Sequence, residues 1–377
     1  MGLALVLWLG SCVGMASPPL DLQRVPDGGI HPRLLTDSEG NLHLLYFRKR
    51  FTNPRATDGD LYYRQYDVQA HDWGHAVKVS SASFGYRDPV YRAGFAIDGE
   101  GRVQVVWYRT RPEKYFYTRS NPERTAFEPQ RDMVMTNIAG VDAGADIAAR
   151  DNMVAIVWAA GELTREPERT VFVRLSLDYG ETFSDEIMIG DKSLGACSCC
   201  GLAVQYNADQ QLQVAYRSAV NGIGRHMQLL TLDALAADPA NSFYDVPDEL
   251  RRWDLSACPV TTNDIVRDRQ QQDWLVFENQ NRIVMKNLTA GTPSELLAEP
   301  ATPTRQKHPA MAFDSEGGRL VVWGEGISFT RGGNLNAMYV DADGNREAVA
   351  LPDAESIPDF SSPAVALKPE GGFLILY

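Results

Sequence analysis

The sequence predicts an all-β fold of repeated four-stranded blades, a β-propeller of six or seven blades, on three observations. One strand–turn–strand hairpin recurs seven times, every copy ends on an aromatic residue, and those aromatics fall 46 to 61 residues apart. That interval is the length of a propeller blade, and no segment of convincing helical period breaks the series.

Taken in order, the first copy runs from His31-Pro32-Arg33-Leu34-Leu35-Thr36-Asp37 through Ser38-Glu39-Gly40 into an alternating strand that ends at Tyr46. The second runs from Ala96-Ile97-Asp98 through Gly99-Glu100-Gly101 to Trp107, and weaker copies end at Trp158, Tyr216 and Phe277. His308 to Asp314, through Ser315-Glu316-Gly317, ends at Trp323, and Pro363-Ala364-Val365-Ala366 leads through Glu370-Gly371-Gly372 to Tyr377. Each reads as a strand, a glycine turn that supplies positive φ, and a second strand of period two. Two further strand candidates follow each hairpin, as at residues 61–68 with 76–80 and at 171–178 with 186–190, which makes four strands per repeat. The stretch 231–237 is the best helical candidate and reads as a loop insertion. Seven hairpins meet only six outer strand pairs. Either residues 20–25 complete a seventh blade, or the last hairpin closes a six-bladed ring. A single propeller domain is expected over residues 20–377.

The third repeat holds Ser176-Leu177-Asp178-Tyr179-Gly180-Glu181-Thr182-Phe183 between its third and fourth strands. This resembles the Asp box, Ser-x-Asp-x-Gly-x-Thr-Trp/Phe, of the sialidase or BNR-repeat family. A degenerate copy, Ser120-Asn121-Pro122-Glu123-Arg124-Thr125-Ala126-Phe127, occupies the same place one repeat earlier, and Trp73 is a candidate remnant of another. The resemblance implies a sialidase-like β-propeller. In that family the box is a structural turn far from the active face, so it speaks for fold and not for catalysis.

Residues 2–13 are apolar and uncharged, but they are shorter than the roughly 20 residues a bilayer-spanning helix needs. A leader over residues 1–16 fits better. It has two exits: signal cleavage at Gly14-Met15-Ala16, or the lipobox-like Leu9-Gly10-Ser11-Cys12, where Cys12 would carry lipid. Export to the periplasm, as a soluble protein or an anchored lipoprotein, or full secretion, is therefore expected, and it permits disulfides. The net charge of −13 repels phosphate backbones, so nucleic acid is excluded as a partner and membrane contact is expected only through a lipid anchor. No phosphate loop or dinucleotide fingerprint is present.

In a propeller the innermost strand starts, and the second strand ends, at the same face around the channel, where ligands bind. Counting fifteen residues back from each aromatic gives His31, Arg92, Ala143, Gly201, Thr262, His308 and Ser362 as the ring of strand starts. Cys197, Cys199 and Cys200 then precede one start and Cys258 the next, on the loops leading into blades four and five. Three readings stay open: a disulfide pinning the two blades, a soft-metal site for copper(I) or zinc completed by His31 and His308, or redox-active thiols. Bonding Cys199 to Cys200 would need a strained vicinal ring.

Strand ends on the same face carry Arg48, Arg109 and Arg217, with Arg92 as a substitute. Sialidases clamp a substrate carboxylate with three arginines, so the resemblance implies a carboxylate-binding role for this set. Asp88 is the acid/base candidate, and no Tyr/Glu nucleophile pair is assigned. Asn287-Leu288-Thr289 is a glycosylation sequon, and Asp341-Ala342-Asp343-Gly344-Asn345 reads as a hairpin turn rather than a calcium loop. The expected function is a noncatalytic exported propeller that holds a metal, or a small-molecule, glycan or protein ligand, on its top face. An exo-α-sialidase-type glycosidase is the alternative.

Overall fold

In several copies the hairpin turn is held by one aspartate. Asp37 Oδ1 accepts from the backbone N–H of Glu39 at 2.9 Å and of Asn41 at 2.8 Å, and Asp98 and Asp314 cap their own turns in the same way. Three residues past that aspartate the backbone turns left-handed, at Gly40 (φ 85°) and Gly101 (φ 76°). In two of the three weaker copies, those ending at Tyr216 and Phe277, Gln210 (φ 65°) and Gln271 (φ 62°) occupy this position, which disguises the turn without changing it. The capping side chain also reaches the neighbouring strands. His43 bridges Asp37 Oδ2 at 3.0 Å and the Tyr63 hydroxyl at 2.6 Å, Gln104 Nε2 donates to Asp98 Oδ2 at 2.6 Å, and Trp274 Nε1 donates to Asp268 Oδ2 at 3.1 Å. Such buried bonds tie turn, second strand and third strand into one unit.

The computed structural model describes residues 18–51, 57–85, 92–110, 113–136, 144–162, 165–197, 199–298, 304–326, 332–351 and 356–377. Its strands form seven blades. Blade one has Ile30–Thr36, Leu42–Lys49 and Asp58–Asp67, the last pairing three short edge strands. Blades two to six each have four antiparallel strands, with the innermost at Gly94–Ile97, Asp146–Arg150, Ala203–Tyr206, Asn263–Arg267 and Gln306–Phe313. Blade seven, Ala364–Leu367 and Phe373–Leu376, takes Leu20–Gln23 as a parallel third strand, with Leu20 beside Phe373 and Gln23 beside Leu376. The N-terminal strand thus closes a seven-bladed ring, the first of the two closures left open by the sequence. Among the described residues no helix is long and apolar enough to cross a membrane, and 231–237 is partly strand and partly loop.

The core is divided into interfaces between blades, because each strand turns alternate side chains toward the blade before and the blade after. Tyr46, Trp107, Trp158, Tyr216, Phe277, Trp323 and Tyr377 are all buried, and each packs in the cluster shared with the preceding blade. This is why the aromatic recurs once per repeat: it fills the wedge between two twisted sheets. The innermost strands enclose a channel cavity of about 1010 Å³, in which Arg33 stands between Asp146 (3.8 Å) and Asp264 (3.9 Å).

The turn 176–183 holds itself together in the same manner. Ser176 Oγ donates to Asp178 Oδ1 at 2.7 Å, Asp178 Oδ1 accepts from Thr182 N at 2.9 Å, and Phe183 packs edge-on against Tyr117 of blade two at 5.0 Å. In the degenerate copy Asn121 Oδ1 caps Thr125 N at 2.9 Å, doing from one position earlier what aspartate does, and Phe127 packs edge-on against Tyr63 of blade one. Asp341 Oδ1 accepts from Asn345 N at 2.8 Å in a hairpin turn.

Candidate metal centre

In a blade of four antiparallel strands, four chain passages lie at one rim: the start of the first strand, the end of the second, the start of the third and the end of the fourth. Three such passages meet beside blade four. The loop between the second and third strands of blade three carries Glu166, in the short 3-10 turn Glu166–Glu168. The loop entering blade four carries Cys197, Cys199 and Cys200, and the loop entering blade five carries Cys258. One ligand atom each from Glu166, Cys197, Cys199 and Cys258 lies within 4.8 Å of all the others.

Backbone bonds fix these loops. Cys197 N donates to Arg217 O at 2.8 Å, Gly201 N to Thr261 O at 2.9 Å and Leu202 N to Gly144 O at 2.9 Å, stitching the cysteine loop to blades three, four and five. Arg225 gathers the ligands. Its Nη1 lies 2.7 Å from Glu166 Oε2, its Nε donates to Ala257 O at 3.2 Å, one residue before Cys258, and its Nη2 to Gly222 O at 3.1 Å.

The four cysteines are free thiols. Cys197 Sγ donates to Cys200 Sγ at 3.4 Å and lies 3.5 Å from Cys199 Sγ, while Cys258 Sγ stands 3.7 Å from Glu166 Oε1. The thiols do not ionise alike. Hydrogen bonds from Cys197 and Cys199, helped by Arg225, hold the exposed Cys258 thiol well down. Burial opposes ionisation of Cys200, but hydrogen bonds from Cys197 and Cys199, with the Arg217 guanidinium, bring it well below its ordinary value. Hydrogen bonding to Cys197 pushes Cys199 up. Cys197 is pushed up as well, so of the sulfurs gathered with Glu166 only Cys258 is favoured as thiolate before a cation arrives. Three sulfurs and a carboxylate are nonetheless a donor set for a thiophilic cation.

His31 and His308 stand apart from that set: the atoms gathered within 4.8 Å include neither imidazole. Both are buried, both have left-handed φ (56° and 54°), and both lie where their strand pairs slip register, between Ile30 and Arg33 and between Lys307 and Ala310. The Thr262 hydroxyl lies 3.3 Å from His308 Nδ1. Burial holds both imidazoles well below the ordinary histidine range, His31 also through the charge of His308.

Each of the four arginines has partners of its own. Arg48 lies over the Tyr62 ring, donates to its hydroxyl at 2.6 Å and approaches Asp27 at 3.7 Å. Arg109 lies over Phe116 of its own blade. Arg217 is buried, donates to Arg225 O at 2.7 Å and lies over Trp253. Arg92 reaches Asn263 O, and burial beside Arg33 lowers it to about 10. Asp88, Ala143 and the leader with Cys12 lie outside the described residues. Glu166 is the member sequence reasoning missed. It follows Trp158 by eight residues, so a search of the second-to-third-strand loops, which share the rim, would have found it.

No known family profile matches the chain, and no curated protein matches it in sequence. Its structure is similar to that of an alpha-L-arabinanase of Penicillium chrysogenum complexed with arabinobiose (TM-score 0.53, 11% identity, covering 88% of this chain and 97% of that one). It is also similar to an alpha-L-arabinofuranosidase of Fusarium graminearum (TM-score 0.51, 9% identity, 84% and 93%) and to Trypanosoma rangeli sialidase (TM-score 0.50, 7% identity, 83% and 56%). At these identities the likeness is one of fold: the β-propeller is shared with glycoside hydrolases, a sialidase among them.

Proposed function

We propose that the chain is a noncatalytic, exported propeller that binds a thiophilic metal ion on its rim through Cys197, Cys199, Cys258 and Glu166. The carrying observation is that three sulfurs and a carboxylate, drawn from loops of three different blades, lie within 4.8 Å of one another. Zn²⁺ suits this mixed sulfur and oxygen set, whereas Cu⁺ favours sulfur alone. Arg225 beside Glu166 and Arg217 near Cys200 offset the excess negative charge that such ligands leave around a divalent ion.

The sialidase-type reading would need Arg48, Arg109 and Arg217 to hold one carboxylate, and Arg48 and Arg217 already donate to Tyr62 and to the Arg225 carbonyl. The leader reading carries over as part of the proposal, with Cys12 as the anchor if lipid is attached.

The test is metal binding by anaerobically reduced protein, titrated with Zn²⁺ and, separately, with Cu⁺, alongside a fluorogenic sialoside assay. Stoichiometric Zn²⁺ uptake without sialoside turnover is expected. Failure to take up either ion would overturn the metal reading, and turnover lost in Arg109→Ala would replace it with the glycosidase. Sequencing of the mature N-terminus tests export, which a chain still starting at Met1 would contradict.

A further inference from the structure

Cys200 is the thiol that the proposed ligand set leaves over. It is buried, as is Cys197, and its sulfur lies 3.4 Å from that of Cys197, within van der Waals contact. A disulfide requires roughly 2.05 Å between sulfurs. Cys197 and Cys200 also have the two-residue spacing of thiol pairs that open and close reversibly, whereas Cys199 with Cys200 would form a vicinal ring and Cys197 with Cys199 encloses a single residue.

We infer that Cys197 and Cys200 form a redox gate: oxidation joins them, withdraws Cys197 from the metal, and releases the ion, so that the protein holds its metal only while reduced. The inference rests on the metal reading above and assigns its regulation. Once Cys197 is bonded to Cys200 its sulfur no longer acts as a thiolate ligand, which leaves Glu166, Cys199 and Cys258 as an incomplete set.

The oxidant is a peroxide, small enough to reach a buried thiol. The Cys200 sulfur attacks one peroxide oxygen, the O–O bond breaks, and the departing hydroxide leaves as water with a proton from the thiol or from solvent, giving a sulfenic acid. The Cys197 sulfur then attacks the Cys200 sulfur, the S–S bond forms and the S–O bond breaks. The second hydroxide leaves as water, with the Cys197 proton in the metal-free protein or a solvent proton when the metal holds Cys197 as thiolate. Two thiols lose two electrons, hydrogen peroxide becomes two waters, and a dithiol reductant restores the start.

The experiment loads the reduced protein with Zn²⁺, adds hydrogen peroxide, follows release with a chromogenic zinc chelator, and maps disulfides by non-reducing peptide digestion. Wild type should release its zinc, yield a peptide linking Cys197 to Cys200, and rebind zinc after dithiothreitol. Cys200→Ser keeps all four ligands and should bind zinc as before, yet release it roughly tenfold more slowly or worse, since the resolving partner is gone. Equal release rates, or a mapped bond from Cys197 to Cys199 or Cys258, would overturn the gate while leaving the metal site intact. Mapping in the wild type stands even if Cys200→Ser fails to fold. Absence of zinc binding by reduced wild type would instead count against the metal reading, and the gate would fall with it.

Discussion

Cys258 Sγ stands 3.7 Å from Glu166 Oε1, although 92 residues separate them in the chain. The approach is made by ring geometry: Glu166 leaves blade three at the rim where Cys258 enters blade five, and the cysteine loop of blade four fills the gap between them. A site assembled from three loops owes its precision to whatever holds those loops in register.

Removing a ligand measures the site directly. Cys258→Ser and Cys199→Ser should each weaken Zn²⁺ binding by about a hundredfold or more, and Glu166→Gln by about tenfold, because a neutral amide oxygen replaces a carboxylate. Competition against a chelator of known affinity gives the constants. Cys258 and Cys199 are not fully buried, so their serine variants should unfold like wild type. Unchanged affinity in both would remove the sulfur set from consideration.

Arg225 touches both edges of the cluster without being a ligand, so its loss should act on affinity through the ligands it positions. Arg225→Ala frees Glu166 and the Ala257 carbonyl together and should weaken Zn²⁺ binding by about 10- to 100-fold, the range found when outer partners of metal ligands are removed. Arg225→Lys, which keeps the charge but cannot span both groups, should recover only part of it. Full recovery by lysine would mean that Arg225 acts through charge alone.

The fold is written repeatedly in the sequence, and the site only once. Seven hairpins, each ending on a buried aromatic, expose the blade count through repetition, even where Gln210 and Gln271 replace the turn glycine. Pairing of Leu20 with Phe373 has no local signal, because a parallel strand joining the two chain ends depends only on ring closure. Counting back from the aromatics puts residues 197–200 and 258 on neighbouring loops. It also puts His31 and His308 at strand starts, but the register slips there turn both histidines into buried bulge residues, and bulges leave no spacing pattern. Glu166 is one of 49 acidic residues and gains meaning only from its neighbours in space.

Those histidines make stability depend on pH. Burial keeps the folded-state values of His31 and His308 well below that of an unfolded histidine, about 6.5, so below that pH the unfolded chain binds more protons than the folded one. Stability should therefore fall as pH drops through 6.5, by at most about 1.4 kcal/mol per pH unit for each histidine. Buried Glu278 and Asp264, whose folded values burial raises, work in the opposite direction, which is why the comparison is made against a variant. The fall in Tm from pH 7 to pH 5 should be smaller in His308→Gln than in wild type. An equal fall in both would show that His308 carries none of it.

Glycine is required at 180 for two separable reasons, and a second glycine separates them. Gly180 has φ 77°, and a Cβ there would run into the Tyr117 hydroxyl and come within 2.7 Å of Gln104 Oε1, both buried in blade two. Gly40 has φ 85°, but a Cβ there would meet nothing within 4 Å. Gly40→Ala should thus lose only the backbone preference, about 1 kcal/mol. Gly180→Ala adds displacement of a tyrosine that donates to the Gly180 carbonyl at 3.2 Å and, with Gln104 and Asp98, ties blade two to the turn of blade three, so the total should reach roughly 3 kcal/mol. Denaturant unfolding of both variants checks the difference. Equal losses would mean that the Tyr117 hydroxyl adds nothing to the hold of blade two on this turn, which the Arg119, Arg131 and Gln104 bonds to it would then carry.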